Sequence, residues 1–106
     1  MRCFPSLVMA MGVMGVMATT QLHAQTVGDA VSGRRIAQTW CLSCHSLTPG
    51  VSSDMAPSFP DIARNPAKTE DQLRNWLTRP HAPMPDYMLS RDDINDIIAF
   101  LHSLEK

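Results

Sequence analysis

The chain has 106 residues, with nine Lys/Arg against ten Asp/Glu, a formal net charge of −1 and 44% hydrophobic residues. That length allows one small domain, and so balanced a charge excludes the basic face that nucleic acid or an anionic membrane surface demands. A domain this short buries little apolar surface and commonly needs a staple, whether a disulfide, a metal or a cofactor.

The first segment reads as an address. Arg2 precedes an apolar run over residues 4–18, and a polar stretch then ends in Leu22-His23-Ala24. Charged start, hydrophobic middle and small cleavage residue predict a secretory signal over residues 1–24. The run is about 15 residues, short of the roughly 20 that a spanning helix needs, so an uncleaved anchor is the second reading. After cleavage no stable membrane insertion is expected. Cys3 leaves with the signal, so residues 25–106 retain Cys41 and Cys44 and three methionines, Met55, Met84 and Met88. Export places this domain in the periplasm, beyond the reducing cytosol.

A first helix is predicted over residues 29–40, with Val31, Ile36 and Ala37 as a partial apolar face. Gly33 inside it costs roughly 1 kcal/mol against alanine and implies close approach by another backbone. The helix leads into Cys41-Leu42-Ser43-Cys44-His45, a C-x-x-C-H run. Two thiols about one turn apart suit the two vinyl groups of a haem, and the next imidazole suits its iron. A thioredoxin-like pair wants a βαβ setting that the sequence lacks. A structural zinc wants four ligands, and His81 and His102 are poorly spaced to complete them. A plain disulfide leaves the downstream Met and Pro pattern without a use.

Residues 46–68 read as a long irregular stretch, punctuated by Pro49-Gly50, Pro57, Pro60 and Pro66. Thr69-Glu70-Asp71-Gln72 is a capping box that starts a second helix, with Leu73, Trp76 and Leu77 as its stripe and Pro80 as its stop. Ser90 caps a third, where Ile94, Ile97, Ile98 and Leu101 repeat at helical spacing, flanked by Phe100 and Leu104. No β pattern competes, so the fold class is all-α: three main helices and long loops.

A sixth iron ligand can come from His81, Met84 or Met88. Met84 is favoured, because Pro83 and Pro85 hold its backbone extended and stiff. Met88 and Met55 read as packing residues. His/Met ligation raises the reduction potential, and with both axial positions filled no place remains for a substrate. Electron transfer rather than catalysis is therefore expected.

At this point the chain resembles the class I c-type cytochromes, small proteins with one covalent haem. The resemblance spans roughly residues 28–104 and is anchored by Cys41-Leu42-Ser43-Cys44-His45 and Met84-Pro85. It implies the cytochrome c-like fold wrapped around one haem c, with Cys41 and Cys44 as attachment points and His45 and Met84 as iron ligands. It matches Gly33 and Phe100 to the close crossing of first and last helices. It also matches Pro57 to the residue whose carbonyl accepts the proximal histidine's Nδ1 proton. Phe59, Ile62, Leu73 and Leu77 are the expected pocket walls. Trp76 is placed equally well by a haem propionate or by core packing, while Trp40 shields the attachment site. His102 is expected at the surface.

Two departures stand out. Ala56 occupies the position where the family usually has glycine, and only Lys68 and Lys106 remain after the signal, so lysine-ring docking does not transfer. Arg34, Arg35 and Arg79 read as solvated surface or a local basic patch. The expectation is a periplasmic one-electron carrier, not an enzyme, monomeric or in transient complexes with redox-protein donors and acceptors. The rivals are an electron-entry subunit bound to a dehydrogenase or oxidase, and a haem sensor or enzyme with labile Met ligation.

Overall fold

A computed structural model describes residues 27–106; the predicted signal over residues 1–24 lies outside them. Four helices follow in order: α1 (Ala30–Trp40), α2 (Phe59–Arg64), α3 (Glu70–Thr78) and α4 (Arg91–Ser103). No strand occurs among the described residues, so the all-α class holds. The three predicted helices are all present, and a short fourth, α2, lies inside the stretch read as irregular. Six residues are too few to display a period, and Pro60 looks like a breaker. In the first turn it costs nothing, because that turn's N–H groups have no partner inside the helix. Ser58, fully buried, caps α2 by accepting from the Asp61 N–H.

Each of the other helices begins at a side-chain cap. Asp29 accepts from Ser32 N–H ahead of α1. Thr69 with Gln72 and Ser90 with Asp93 form reciprocal capping boxes ahead of α3 and α4. Such caps satisfy amides that have no intrahelical partner, typically contributing about 1 kcal/mol each.

Helices α1 and α4 make the tightest pairing. A Cβ on Gly33 would stand 1.9 Å from the Asp96 carbonyl oxygen, and one on Gly28 2.0 Å from that of Asn95. Only hydrogen fits at either contact. The Asp29 N–H also donates to Asp96 Oδ1 at 2.7 Å, pinning the start of α1 to α4. Ala37 faces the same way, one turn beyond Gly33, and is fully buried. Val31 does not. It sits about 200° around the helix from Gly33, on the solvent side, so of the expected apolar face only Ile36 and Ala37 turn inward, beside Gly33.

The core joins Ala37, Phe59, Leu73, Ile97, Phe100 and Leu101. Phe59 and Phe100 meet edge to face at 5.7 Å, tying α2 to α4. No helix among the described residues is long and apolar enough to cross a membrane.

Candidate haem site

The C-x-x-C-H run hangs from the C-terminal end of α1. Cys41 N–H still bonds to Ala37, and Cys44 and His45 N–H both return to the Cys41 carbonyl at 3.1 and 2.9 Å. This tight turn brings two thiols and an imidazole to one wall. Both cysteines are unpaired and half-buried, a state open to thioether formation. Burial pushes the Cys41 thiol above its ordinary pKa, and neighbouring Cys44 adds to the rise. Among the described residues no group of three or more His, Cys, Asp or Glu side chains is arranged to hold a metal ion.

The following loop orients His45. Ser53 Oγ donates to the Cys44 carbonyl at 2.8 Å and accepts from Met55 and Ala56 N–H. Phe59 N–H reaches back to the Ser46 carbonyl, and Gly50 N–H donates to the Asp61 carboxylate. So closed, the loop sets the Pro57 carbonyl 2.8 Å from His45 Nδ1. A carbonyl only accepts, so Nδ1 carries the proton and Nε2 keeps its lone pair. Phe59 stacks on the imidazole at 4.9 Å and fixes its plane.

These groups open on a cavity of about 280 Å³ with a largely apolar lining. Cys41, Cys44, His45, Pro57, Phe59, Ile62, Trp76 and Met84 all line it, as do Leu73 and Leu77. The donor set and the apolar walls fit a covalently attached haem: thiols, a lone pair on Nε2 and a half-buried thioether share one cavity. Met84 arrives differently from the expectation. Its N–H closes a turn onto the His81 carbonyl at 2.8 Å, with a cis Ala82–Pro83 bond, so the segment is folded rather than extended.

Met88 is neither packing residue nor lining: it is 89% exposed. Met55 lines the cavity and is over half exposed, so it is no core filler either. His81 also lines the cavity, tilted against Trp76 at 5.5 Å.

Several lining residues escaped the sequence reading. Lys68 places its ammonium 4.1 Å over the Trp76 ring. Tyr87 lies tilted against Trp40 at 5.6 Å, and both line the cavity. Ile97 and Leu101 close the floor from α4. An aromatic three residues beyond Met84 was the available signal for Tyr87; Ser53 gave none beyond being a serine in a loop.

Comparison with known proteins follows the same line. The family described as cytochrome c oxidase, cbb3-type, subunit III, matches residues 28–101. Cytochrome c-552 of Bradyrhizobium diazoefficiens is 41% identical over 78 residues, covering 72% of this chain and 75% of that protein. The cytochrome-c peroxidase IdrP2 of Pseudomonas sp. (strain SCT) is 34% identical over 58 residues, 51% of this chain but only 15% of that protein. No solved structure gave a significant match. The family match runs from the glycine that meets α4 to the last core leucine, and on that evidence the chain belongs to this cytochrome c family, as a small c-type electron carrier with covalently bound haem.

Proposed function

We propose that the chain is an exported, periplasmic one-electron carrier, with residues 25–106 as its working domain after removal of residues 1–24. Cys41 and Cys44 hold the haem, and His45 and Met84 are its axial ligands. Phe59, Ile62 and Trp76 wall the pocket, and Pro57 fixes the imidazole. When bound, the group supplies a one-electron iron couple. The observation that carries this reading is the 2.8 Å bond from His45 Nδ1 to the Pro57 carbonyl, which leaves Nε2 as a lone pair for metal. Met84, half-buried in the same cavity, supplies a soft second donor. Two protein ligands leave no open position for a substrate, which argues for electron transfer to redox-protein partners and against catalysis.

The description of the matched family favours a second reading, an electron-entry subunit of a terminal oxidase. Co-purification of the native protein with a membrane oxidase through detergent extraction supports that reading; recovery as a free protein supports the carrier.

The test is expression with a c-type haem maturation system, followed by optical spectra of both redox states. Covalent haem with the weak red absorption band of a Met–iron bond, lost in Met84→Ala, supports the assignment. Covalent haem without that band, with rapid carbon monoxide binding, moves the protein to sensing or catalysis. An unchanged band in Met84→Ala removes Met84 as ligand.

A further inference from the structure

The proximal imidazole is restrained by two contacts that act on different motions. The Pro57 carbonyl, 2.8 Å from His45 Nδ1, fixes where that edge of the ring points. A carbonyl accepts over a broad range of directions, and the torsion that turns a histidine ring about its Cβ–Cγ bond has no sharp minimum. The hydrogen bond alone therefore leaves the ring plane loose. What lies against the face of the ring decides it. That neighbour is Phe59, with centroids 4.9 Å apart and planes 21° from parallel.

Phe59 acts as a stop only if it is held in turn. Its N–H donates to the Ser46 carbonyl at 2.8 Å, which anchors its backbone. Its ring has the same broad terminal torsion as histidine. Against that ring stands Phe100 of α4, at 5.7 Å and 73°, edge to face. Both are buried, Phe59 at 5% and Phe100 at 2% exposure, in the cluster where α4 meets α1 and α2. Phe59 lines the haem cavity and Phe100 does not. The three rings make one chain of contacts from α4 to the imidazole, in an interior dense enough to pass on a displacement.

We propose that Phe100 is a positioning residue for the proximal ligand: acting through Phe59, it sets the plane of the His45 imidazole. The proposal rests on the reading of His45 as an iron ligand. Groups one step removed from a metal orient its ligand and tune the donation. In a low-spin ferric haem the orientation of the axial ligands sets the splitting of the iron d orbitals. The g values of electron paramagnetic resonance read that splitting. Core filling alone moves stability and leaves those values in place.

The experiment uses the haem-loaded ferric protein, with Phe100→Leu, Phe59→Leu, the double variant and Ile98→Ala. Ile98 is also buried on α4, at 3% exposure, and belongs neither to the cluster around Phe100 nor to the cavity lining. Each protein is read by its g values and by its urea-unfolding midpoint. Phe100→Leu is expected to shift and broaden the g values, although its site lies outside the cavity lining. Phe59→Leu shifts them further. The double variant matches Phe59→Leu, because loss of the middle ring disconnects Phe100, and sites that act through one another do not add. Ile98→Ala, which empties a core site, loses at least as much stability as Phe100→Leu and keeps wild-type g values.

Wild-type g values in Phe100→Leu overturn the proposal. So does an equal shift in Ile98→Ala, which marks general loosening. A double variant whose shift is the sum of the two single shifts also overturns it, since Phe100 then acts by another route. If Phe100→Leu takes up no haem, Phe100→Met, unbranched and adaptable in packing, is read by the same criteria. A wild-type protein without a low-spin ferric signal instead removes the ligand assignment itself.

Discussion

His45 gives its Nδ1 proton to the carbonyl of Pro57 across 2.8 Å, twelve positions further along the chain. The bond joins the end of α1 to a loop that has no regular structure of its own, and Ser53 is what keeps that loop closed. One hydroxyl donates to the Cys44 carbonyl and accepts two amides, so its loss leaves a carbonyl and two N–H groups without their partner. The bonds are exposed and water can take over the freed groups, so Ser53→Ala is expected to cost about 0.5–1.5 kcal/mol in urea unfolding. A slackened bond to Pro57 also makes the imidazole a weaker donor, so the reduction potential rises. A variant with both the stability and the potential of the wild type refutes the role given to Ser53.

Gly33 admits no side chain. A Cβ at 1.9 Å from a main-chain oxygen of α4 cannot be accommodated by rotating a neighbour, so α1 and α4 must separate. Gly33→Ala is expected to destabilise the haem-loaded protein by about 3 kcal/mol, the upper part of the usual overpacking range. Alanine's better helix propensity opposes this by only about 1 kcal/mol. A chemical denaturation midpoint at or above the wild-type value refutes the close packing.

What the sequence displayed and what it hid divide along physical lines. The C-x-x-C-H turn and the capping boxes are contiguous, and Gly33 is conspicuous because a helix interior disfavours it. Helix α2 is shorter than two turns, too brief for a period to register, and its proline sits where proline is harmless. Val31 was misassigned because a sparse apolar pattern does not say which side of α1 meets α4. Lys68 and Tyr87 come to the cavity through loops whose course tertiary packing decides. Met88 was legible in principle: an Asp two residues earlier is a local turn signal, but an apolar residue beside a helix cap reads first as packing.

Lys68 supplies a positive charge at the cavity wall, held 4.1 Å over Trp76. A cation near the redox centre favours the reduced, less positive state. Lys68→Gln is therefore expected to lower the reduction potential by tens of millivolts in low salt. Loss of the cation–π contact costs about 0.5–1 kcal/mol of stability, since the site is only partly exposed. Spectroelectrochemical titration is the check, and a potential unchanged or raised contradicts it.

The end of α4 carries a pH-dependent contact remote from the cysteines. His102 Nδ1 lies 2.6 Å from Glu105 and Nε2 3.5 Å from Glu70 of α3. Glu70 is itself paired with Arg74 at 2.8 Å, and Arg91 and Asp92 line the same cleft. The hydrogen bond to Glu105 is the main cause that raises the His102 pKa above its ordinary 6.5, with burial opposing it and Glu70 adding to it. A raised folded-state pKa means that the stabilisation is complete below about pH 6.5 and disappears as pH rises through the folded value. Glu70 works in the opposite sense. Its pKa is lowered from 4.5, chiefly by the Arg74 hydrogen bond, so its contribution is present above that value and lost as pH falls through the folded one. Stability measured by urea unfolding is therefore expected to decline modestly on the alkaline side of pH 6.5, the side chains being about half exposed and screened by salt. His102→Gln removes that alkaline decline, and Glu70→Gln removes part of the acid one. Wild-type and His102→Gln curves that run parallel from pH 6 to pH 8 would show that the histidine contributes nothing to the junction of α3 and α4.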